Sequence, residues 1–284
     1  MSAVREWATA RLQWAPLRNG TKYAVHGMAR ARGRSLERRG AVPEIGNILA
    51  AGPQKAGSQW LKALFDHPLV RAHTGLMTLP QLDYQLAPPA KGFPAGTFVP
   101  GVYLSYPEFE ALAKPHPLRL VYLSRDPRDM VVSGYWSAVK THRVGHLPEV
   151  EKLRERIRTA SYEDGLLAII DSAAQLFRDM DTWVGVEDER VARFKLEDVA
   201  KDQRPVVLGM LAHTGVTLSD TDLEQVLRDV DRGTLQSKDL ARRKDGESHY
   251  RVNQSGHEDV FSDVHYAAIE RVAPGLIERL GYAM

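Results

Sequence analysis

Cysteine is absent from this chain of 284 residues. Its absence excludes a disulfide framework, a thiolate nucleophile and any cysteine-ligated zinc or iron–sulfur centre. Long hydrophobic runs are missing too: no stretch of about 18 apolar residues is present, so no membrane span is predicted. The N-terminus also lacks the apolar region of a secretory signal. We therefore expect a cytoplasmic protein.

Acidic residues are scarce at the start of the chain. Hydrophobic residues make up 43% of the sequence, enough for a sizeable core, and the net charge is only +2. Residues 1–40, however, hold nine Lys and Arg against two Glu. We interpret residues 1–43 as a basic N-terminal arm outside a single domain of residues 44–284. Such an arm is either solvated or in contact with anionic lipid, an acidic acceptor or a partner subunit. The oligomeric state stays open.

Hydrophobic patterning predicts strands that alternate with helices. This alternation is typical of an α/β domain with a central parallel sheet flanked by helices, a P-loop-like arrangement that binds ligands at the carboxyl ends of its strands. Residues 74–101, rich in Pro and Gly, are interpreted as a long loop. The predicted strands are Ile45–Ala51, Phe98–Leu104, Leu118–Leu123 and Val191–Leu196, and the predicted helices begin at Ser58, begin at Asp126 and span Glu163–Val184.

The segment after the first predicted strand has the character of a phosphate loop. Backbone N–H groups and the dipole of the following helix favour an anion there. Gly57 lets the backbone approach closely, Ser58 adds a hydroxyl donor and Lys55 supplies a mobile positive charge. The segment is not a Walker A loop, because Ser58 stands where that loop has its lysine. This difference argues against a kinase that uses ATP or GTP.

A second motif follows the strand at Leu118–Leu123. Asp126 is a good N-cap and Pro127 suits the first helical position. Arg125 lies just ahead of this helix, and Ser133 lies on it. A guanidinium and a hydroxyl group can together hold a phosphate monoester. Two phosphate sites of different character suit a nucleotide with phosphates at both ends of its ribose.

Both segments resemble the family of sulfotransferases that use 3'-phosphoadenosine 5'-phosphosulfate (PAPS). Gln54–Leu61 resembles the family's 5'-phosphosulfate loop, P-K-S-G-T-T-W-L or Q-K-T-G-T-T, and Arg125–Tyr135 closely resembles its 3'-phosphate site, R-[DN]-P-[RK]-D-x-x-x-S-x-Y. The resemblance implies transfer of a sulfuryl group from PAPS to a hydroxyl acceptor, release of 3'-phosphoadenosine 5'-phosphate (PAP), and no metal.

Later segments extend the resemblance from about Asn47 to Tyr282. Ser248–Ser262 resembles the family's late loop, in which Arg251 matches the arginine that reaches the 3'-phosphate. Leu196 replaces a tyrosine that often lines the adenine pocket, so Trp60 is expected to carry more of the stacking. The cofactor-binding residues that the resemblance implies are Lys55, Ala56, Gly57, Ser58, Gln59, Trp60, Arg125, Ser133, Leu196, Arg251 and Asn253.

The catalytic residues are less well defined than the cofactor site. Lys55 is expected to stabilise charge on the bridging oxygen as PAP leaves. The family's K-T-H-L-P histidine is missing, since Tyr103–Pro107 occupies that stretch. Candidate general bases are His142, which we favour, with His146 and His73 as alternatives.

Several functions and acceptors stay open at this stage. The acceptor is a small phenol or alcohol, a sugar, a lipid or a natural product, in a pocket shaped by residues 74–101 and 136–160. The alternatives to an enzyme of this kind are a catalytically silent PAP-binding scaffold and, less favoured, a P-loop kinase. Nucleic acid is not an expected partner, because the arginines lack interleaved aromatics and the rest of the chain is acidic.

Overall fold

The computed structural model describes residues 15–81, 91–141, 148–242, 248, 250 and 256–283. Strands and helices alternate along much of these ranges, as the patterning predicts. In chain order the elements are α1 (Ala15–Arg38), β1 (Asn47–Ala51), α2 (Ser58–Phe65), α3 (Pro68–Thr74), β2 (Met77–Thr78), β3 (Thr97–Val102), α4 (Tyr106–Ala111), β4 (Leu118–Ser124), α5 (Pro127–Trp136), a π-helical turn (Ser137–Thr141), α6 (Pro148–Thr159), α7 (Tyr162–Ser172), α8 (Ala174–Asp181), β5 (Val191–Lys195), α9 (Leu196–Lys201), α10 (Gln203–His213), α11 (Asp220–Asp229), α12 (Arg232–Arg242), a 3-10 turn (His257–Asp259), α13 (Asp263–Val272) and α14 (Leu276–Arg279).

The described strands form one parallel sheet in the order β2-β3-β1-β4-β5. Because β1 lies between β3 and β4, the chain leaves the centre of the sheet in both directions, and the loop after β1 sits at this switch point. The predicted α/β domain with a central parallel sheet flanked by helices is confirmed. All four predicted strands are present within two residues of their expected bounds.

Hydrophobic clusters cover both faces of the sheet. On one face Val121 and Leu123 of β4 pack with Trp60 and Leu64 of α2. On the other face Leu120 and Tyr122 pack with Trp183, whose ring stacks on Tyr122 at a centroid distance of 4.6 Å. Successive side chains of a strand point to opposite faces, so the apolar run Leu120–Leu123 of β4 is buried on both sides, as expected of a central parallel strand.

The prediction of one helix over Glu163–Val184 is wrong. The structure divides that stretch into α7 and α8, with Ala173 between them at φ −88° and ψ −1°. Ala173 N–H donates to the carbonyl oxygens of both Ile169 and Ile170. This tightened turn ends α7, and α8 begins directly after it.

The described part of the basic N-terminal segment is a helix docked on the domain. Ala29 of α1 is buried, and Gly33 lies against Pro94 and Ala95. Arg32 donates hydrogen bonds to the carbonyl oxygens of Gly75 and Gly96. The other arginines of the cluster, Arg30, Arg34, Arg38 and Arg39, are exposed. Of the helices in the described ranges, none has the length and apolarity that crossing a membrane requires.

Candidate active site

The loop between β1 and α2 turns sharply at the carboxyl edge of the sheet. A Cβ atom on Gly52 would lie 2.2 Å from the carbonyl oxygen of Leu123, so only glycine fits there. Lys55 has a φ of 73° and Gly57 a φ of 87°, both in the left-handed region. Loops that contain left-handed residues form concave backbone surfaces whose N–H groups bind anions.

The first turn of α2 borders this loop. The helix begins after Gly57, which has no side chain to cap the helix N–H groups. The Ser58 hydroxyl is half-buried, and its oxygen accepts a hydrogen bond from the Tyr103 hydroxyl at 3.3 Å. An anion can therefore take the role that a capping side chain fills elsewhere, helped by the positive end of the helix dipole.

Arg125 brings the second motif to the first. It follows Ser124, the last residue of β4, which is the neighbour of β1 in the sheet. Its guanidinium Nη1 donates to the Lys55 carbonyl oxygen at 3.3 Å. Parallel neighbouring strands end at the same edge, and this contact is the direct result.

A second guanidinium adds positive charge beside Arg125, and sequence reasoning missed it. Burial lowers the pKa of Arg232, at the start of α12, and the positive charge of Arg125 lowers it further. Trp60 donates its indole N–H to the carbonyl oxygen of Val230, which holds this part of the chain against α2. Two arginines therefore share the electropositive edge next to the loop. The sequence carried no signal for this, because more than 100 residues separate them.

Asp126 and Arg128 have a structural role within the second motif. The Asp126 carboxylate accepts the Arg128 backbone N–H at 2.9 Å and pairs with the Arg128 guanidinium at 2.7 Å. Both side chains are only 6% exposed. Arg128 also donates to the Ala283 carbonyl oxygen, which ties the end of the described chain to α5.

Asp129 connects α5 with the described part of the late loop, at His257. Its carboxylate accepts hydrogen bonds from the His257 backbone N–H at 2.9 Å and lies 3.0 Å from the ring Nδ1. Burial works against the charged carboxylate, but the His257 hydrogen bonds and the nearby Arg125 charge win and hold the pKa of Asp129 at about 2. An ionised Asp129 thus anchors one end of this segment near Arg125.

Two of the predicted adenine-pocket residues lie in the core. Trp60 is 2% exposed, and its indole N–H is already hydrogen-bonded. Leu196 is buried against Gly57, because a Cβ on that glycine would lie 2.9 Å from the leucine Cδ1. Leu196 packs against the phosphate loop at Gly57. A contact of Trp60 or Leu196 with adenine stays a prediction.

The remaining predicted contacts in the described ranges lie around the same edge. Ala56 is buried, Gln59 is exposed on the first turn of α2, and Ser133 is half-buried on α5, eight residues after Arg125. Arg251 and Asn253 fall outside the described residues, as do His142 and His146.

His73 is not brought together with Lys55. It lies at the end of α3, exposed, and its Nε2 accepts the Thr217 backbone N–H at 3.5 Å. Gly215, two residues before Thr217, lies against Ile45, which precedes β1. His73 therefore lies at the amino edge of the sheet. Five residues of β1 separate the two edges by roughly 15 Å, too far for direct proton transfer beside Lys55.

A cavity of about 190 Å³ opens beside the phosphate loop. An acidic side chain, Asp179 of α8, lines it, and sequence reasoning missed this residue. The segments 74–101 and 136–160, expected to shape the acceptor pocket, lie partly outside the described residues, and that expectation stays a prediction. The lining residues are Gly52, Pro53, Gln54, Tyr103, Leu104, Tyr122, Leu176, Asp179 and Met180.

The described ranges of the chain contain no group of three or more His, Asp or Glu side chains placed to hold a metal ion. Lysine, arginine and backbone N–H groups contribute positive charge at this edge.

Comparison with solved structures finds the same fold in a mouse sulfotransferase. The crystal structure of mouse sulfotransferase SULT7A1 complexed with PAP superposes with a TM-score of 0.50 at 15% identity, over 84% of each chain. Retinol dehydratase in complex with androsterone and inactive cofactor PAP has a TM-score of 0.48 at 14% identity, over 85% of this chain and 82% of that one. A sulfotransferase from Alicyclobacillus acidocaldarius has a TM-score of 0.33 at 21% identity, over 69% and 93%.

Sequence comparison gives the family. A search of curated proteins found no match. The sulfotransferase domain family, however, matches residues 103–258, more than half of the chain. The match includes Arg125 and its helix, and the phosphate loop at Lys55–Ser58 precedes it at the same edge of the sheet. The chain therefore belongs to the family of PAPS-dependent sulfotransferases.

Proposed function

We propose that this enzyme transfers the sulfuryl group of PAPS to a hydroxyl group of an acceptor and releases PAP. The observation that carries the proposal is the contact between the two phosphate motifs, in which the Arg125 guanidinium donates to the Lys55 carbonyl oxygen. A nucleotide with phosphates on both the 3' and 5' positions of one ribose needs two anion sites about one ribose apart. A nucleotide such as ATP, whose phosphates are all at one end of the ribose, would not need the second site.

The two sites bind phosphate by different means. At the 5' end, the backbone N–H groups of Gly57, Ser58 and Gln59 surround the start of α2, where no side-chain cap competes. At the 3' end, Arg125 and Ser133 provide a guanidinium and a hydroxyl group, and Arg232 adds positive charge. Arg251 and Asn253 complete this site in the proposal, as the family resemblance implies.

Lys55 is the proposed electrostatic catalyst. In sulfuryl transfer the bond between sulfur and the bridging oxygen breaks while sulfur bonds to the acceptor oxygen, and charge develops on the bridging oxygen. A lysine at the apex of the phosphate loop can neutralise that charge as it forms. Its left-handed backbone lifts the residue out of the line of β1, a strained conformation of the kind that is retained at functional sites.

Calorimetric titration with PAP tests this proposal. PAP should bind without Mg²⁺, and Arg125→Ala should weaken binding by about tenfold to a hundredfold, the usual effect of losing a hydrogen bond to a charged group. Arg271→Ala is the matched control, because Arg271 is a 67% exposed arginine that pairs with Asp171 on the surface. Lys55→Met should still bind PAP but lose PAPS turnover.

Three outcomes would contradict the proposal. Absence of PAP binding, or binding of ATP only with Mg²⁺, would favour the kinase alternative. Equal weakening by Arg125→Ala and Arg271→Ala would mean that the second motif is not a phosphate site. PAP binding without turnover on any hydroxyl acceptor would favour the silent scaffold.

A further inference from the structure

We propose that Asp179 is the catalytic residue that accepts the proton of the acceptor hydroxyl, in a cavity that admits a single ring. This inference rests on the proposed function, since it names the base and the acceptor shape for the same reaction. It begins from two facts: the family histidine is missing from Tyr103–Pro107, and an aspartate lines the cavity beside the phosphate loop.

The stretch that lacks the histidine is used for another purpose. Ser105 is the N-cap of α4, where its hydroxyl accepts the Glu108 backbone N–H and its own N–H donates to the Glu108 carboxylate at 2.7 Å. This capping box occupies both groups. The segment therefore forms a wall of the cavity through Tyr103 and Leu104 without supplying a base.

Helix α8 is fastened to this wall. The Trp183 indole N–H donates to the Leu104 carbonyl oxygen at 2.8 Å, and the Tyr106 N–H donates to the Thr182 hydroxyl at 2.8 Å. Thr182 in turn donates to the Asp179 carbonyl oxygen at 2.6 Å. These contacts hold Asp179 in the wall of the cavity that Gly52–Gln54 of the phosphate loop also line.

The Asp179 side chain is oriented and its charge reaches the cavity wall. Gln175, one turn earlier on α8, donates its side-chain N–H to Asp179 Oδ1 at 2.7 Å. Burial raises the pKa of the neighbouring Tyr122, and the negative charge of Asp179 raises it further. Tyr122 and Asp179 both line the cavity, so we place the acceptor hydroxyl beside the Asp179 carboxylate.

The cavity is large enough for one ring of an acceptor. Its volume is about 190 Å³, and a cavity of roughly 150 Å³ in another protein holds a benzene molecule. Tyr122, Leu176 and Met180 make part of the wall apolar, which suits the flat faces of a ring. A phenol fits this space with its hydroxyl between Asp179 and the loop.

The proposed step balances without a metal or an oxidant. The acceptor oxygen forms a bond to sulfur while the bond from sulfur to the bridging oxygen of PAPS breaks. The acceptor proton passes to the Asp179 carboxylate, and the electron pair of the broken bond stays on the PAP phosphate, where Lys55 neutralises it. The protonated carboxyl group then returns its proton to water.

Two phenols of different acidity distinguish a general base from a residue with only a structural role. The enzyme is assayed at about pH 8 by PAP release from PAPS, with 4-nitrophenol, which is mostly ionised, and 4-methylphenol, which stays neutral because phenols of this kind ionise at about pH 10. Asp179→Asn should lower kcat/KM for 4-methylphenol by about a hundredfold or more, the usual contribution of a general base. It should change the value for 4-nitrophenol little, since that proton is already gone.

Asp181→Asn is the matched control. Asp181 lies on the same helix, is exposed, and pairs with Arg279 at 2.8 Å rather than lining the cavity. Both phenols should react at the unaltered rate in this variant. Lys55→Met should lose turnover with both, which separates leaving-group stabilisation from proton removal.

The outcomes that overturn the inference are distinct from those that overturn the proposed function. Equal losses on both phenols in Asp179→Asn, or no loss on either, would show that the carboxylate does not accept the proton. PAP binding by the unaltered enzyme without turnover of any phenol would show that the cavity does not receive the ring. Failure of the unaltered enzyme to bind PAP would refute the proposed function itself.

Discussion

Helices α2 and α5 begin at the same edge of the sheet, after the neighbouring strands β1 and β4, but their first turns are built in opposite ways. Helix α2 follows Gly57, which has no side chain, so no side-chain cap occupies the first N–H groups of the helix and a ligand can bind them. Helix α5 follows Asp126, whose carboxylate caps the helix and pairs with Arg128. An anion at α5 must therefore be held by side chains such as Arg125. The comparison teaches that a helix start at the right edge is not enough to make an anion site, because the cap decides whether the N–H groups are available.

The largest expected effect concerns the N-terminus of α5, which Asp126 caps. Asp126→Ala removes the cap and leaves the buried Arg128 guanidinium without its carboxylate. Breaking a buried ion pair costs about 3 to 5 kcal/mol of unfolding free energy. Ser161→Ala is the control, because Ser161 caps α7 at an exposed position and its loss costs only about 1 kcal/mol. Urea unfolding of both variants measures the difference, and similar losses would mean that the pair adds nothing to the cap.

The next effect concerns the N-terminus of α2, which has no side-chain cap. Gly57→Asp would place a carboxylate at the proposed 5'-phosphate site, whereas Gly57→Asn has nearly the same shape without the charge. Both residues adopt a positive φ more readily than most, so the backbone strain is shared. PAP affinity should be about a hundredfold lower in Gly57→Asp than in Gly57→Asn, because like charges repel strongly near the surface of a protein. Equal affinities in calorimetry would place the phosphate elsewhere.

The smallest expected effect is a pH dependence of the stability that Asp129, the third residue of α5, contributes to the fold. The pKa of Asp129 is about 2, below its usual 3.8. A lowered pKa in the folded state stabilises the fold above the unfolded value, and this contribution disappears as the pH falls from about 4 to about 2. Asp129→Asn should therefore cost about 2 kcal/mol at neutral pH, and the difference from the unaltered protein should close near pH 2.

Guanidinium chloride unfolding from about pH 7 down to about pH 2 checks the Asp129 prediction. Asp171→Asn is the control, because Asp171 is 47% exposed and its pair with Arg271 is a surface ion pair. A loss in Asp129→Asn that stays constant over the whole range would mean that the His257 hydrogen bonds do not depend on the ionised carboxylate.

Much of this edge could be predicted from local patterns. Gly57 and Ser58 after an apolar strand, and Arg125 before an Asp-Pro helix start, are signals contained in a few adjacent residues. Both lie where predicted, because strand ends and helix starts are decided mostly by neighbours in the chain. The parallel sheet then brings them together without further information.

Other features depend on contacts that no local pattern reports. Asp179 reaches the cavity only because Trp183 and Thr182 fasten α8 to the segment after β3. Ala173 ends α7 without a glycine or proline to indicate it. His73 follows the first predicted helices closely in sequence, yet it lies at the opposite edge of the sheet. Such placements follow from tertiary packing between residues far apart in the chain.

Lys55 has a positive φ, and in the described ranges every other residue with that conformation is a glycine. Holding a lysine there costs roughly 1 kcal/mol or more, which glycine or asparagine would largely recover. Because the proposed mechanism needs Lys55, we expect directed evolution for heat resistance to favour replacements at this position that raise the melting temperature and abolish turnover. A screen on thermal stability alone would enrich dead enzymes, so selection has to include turnover to keep the lysine.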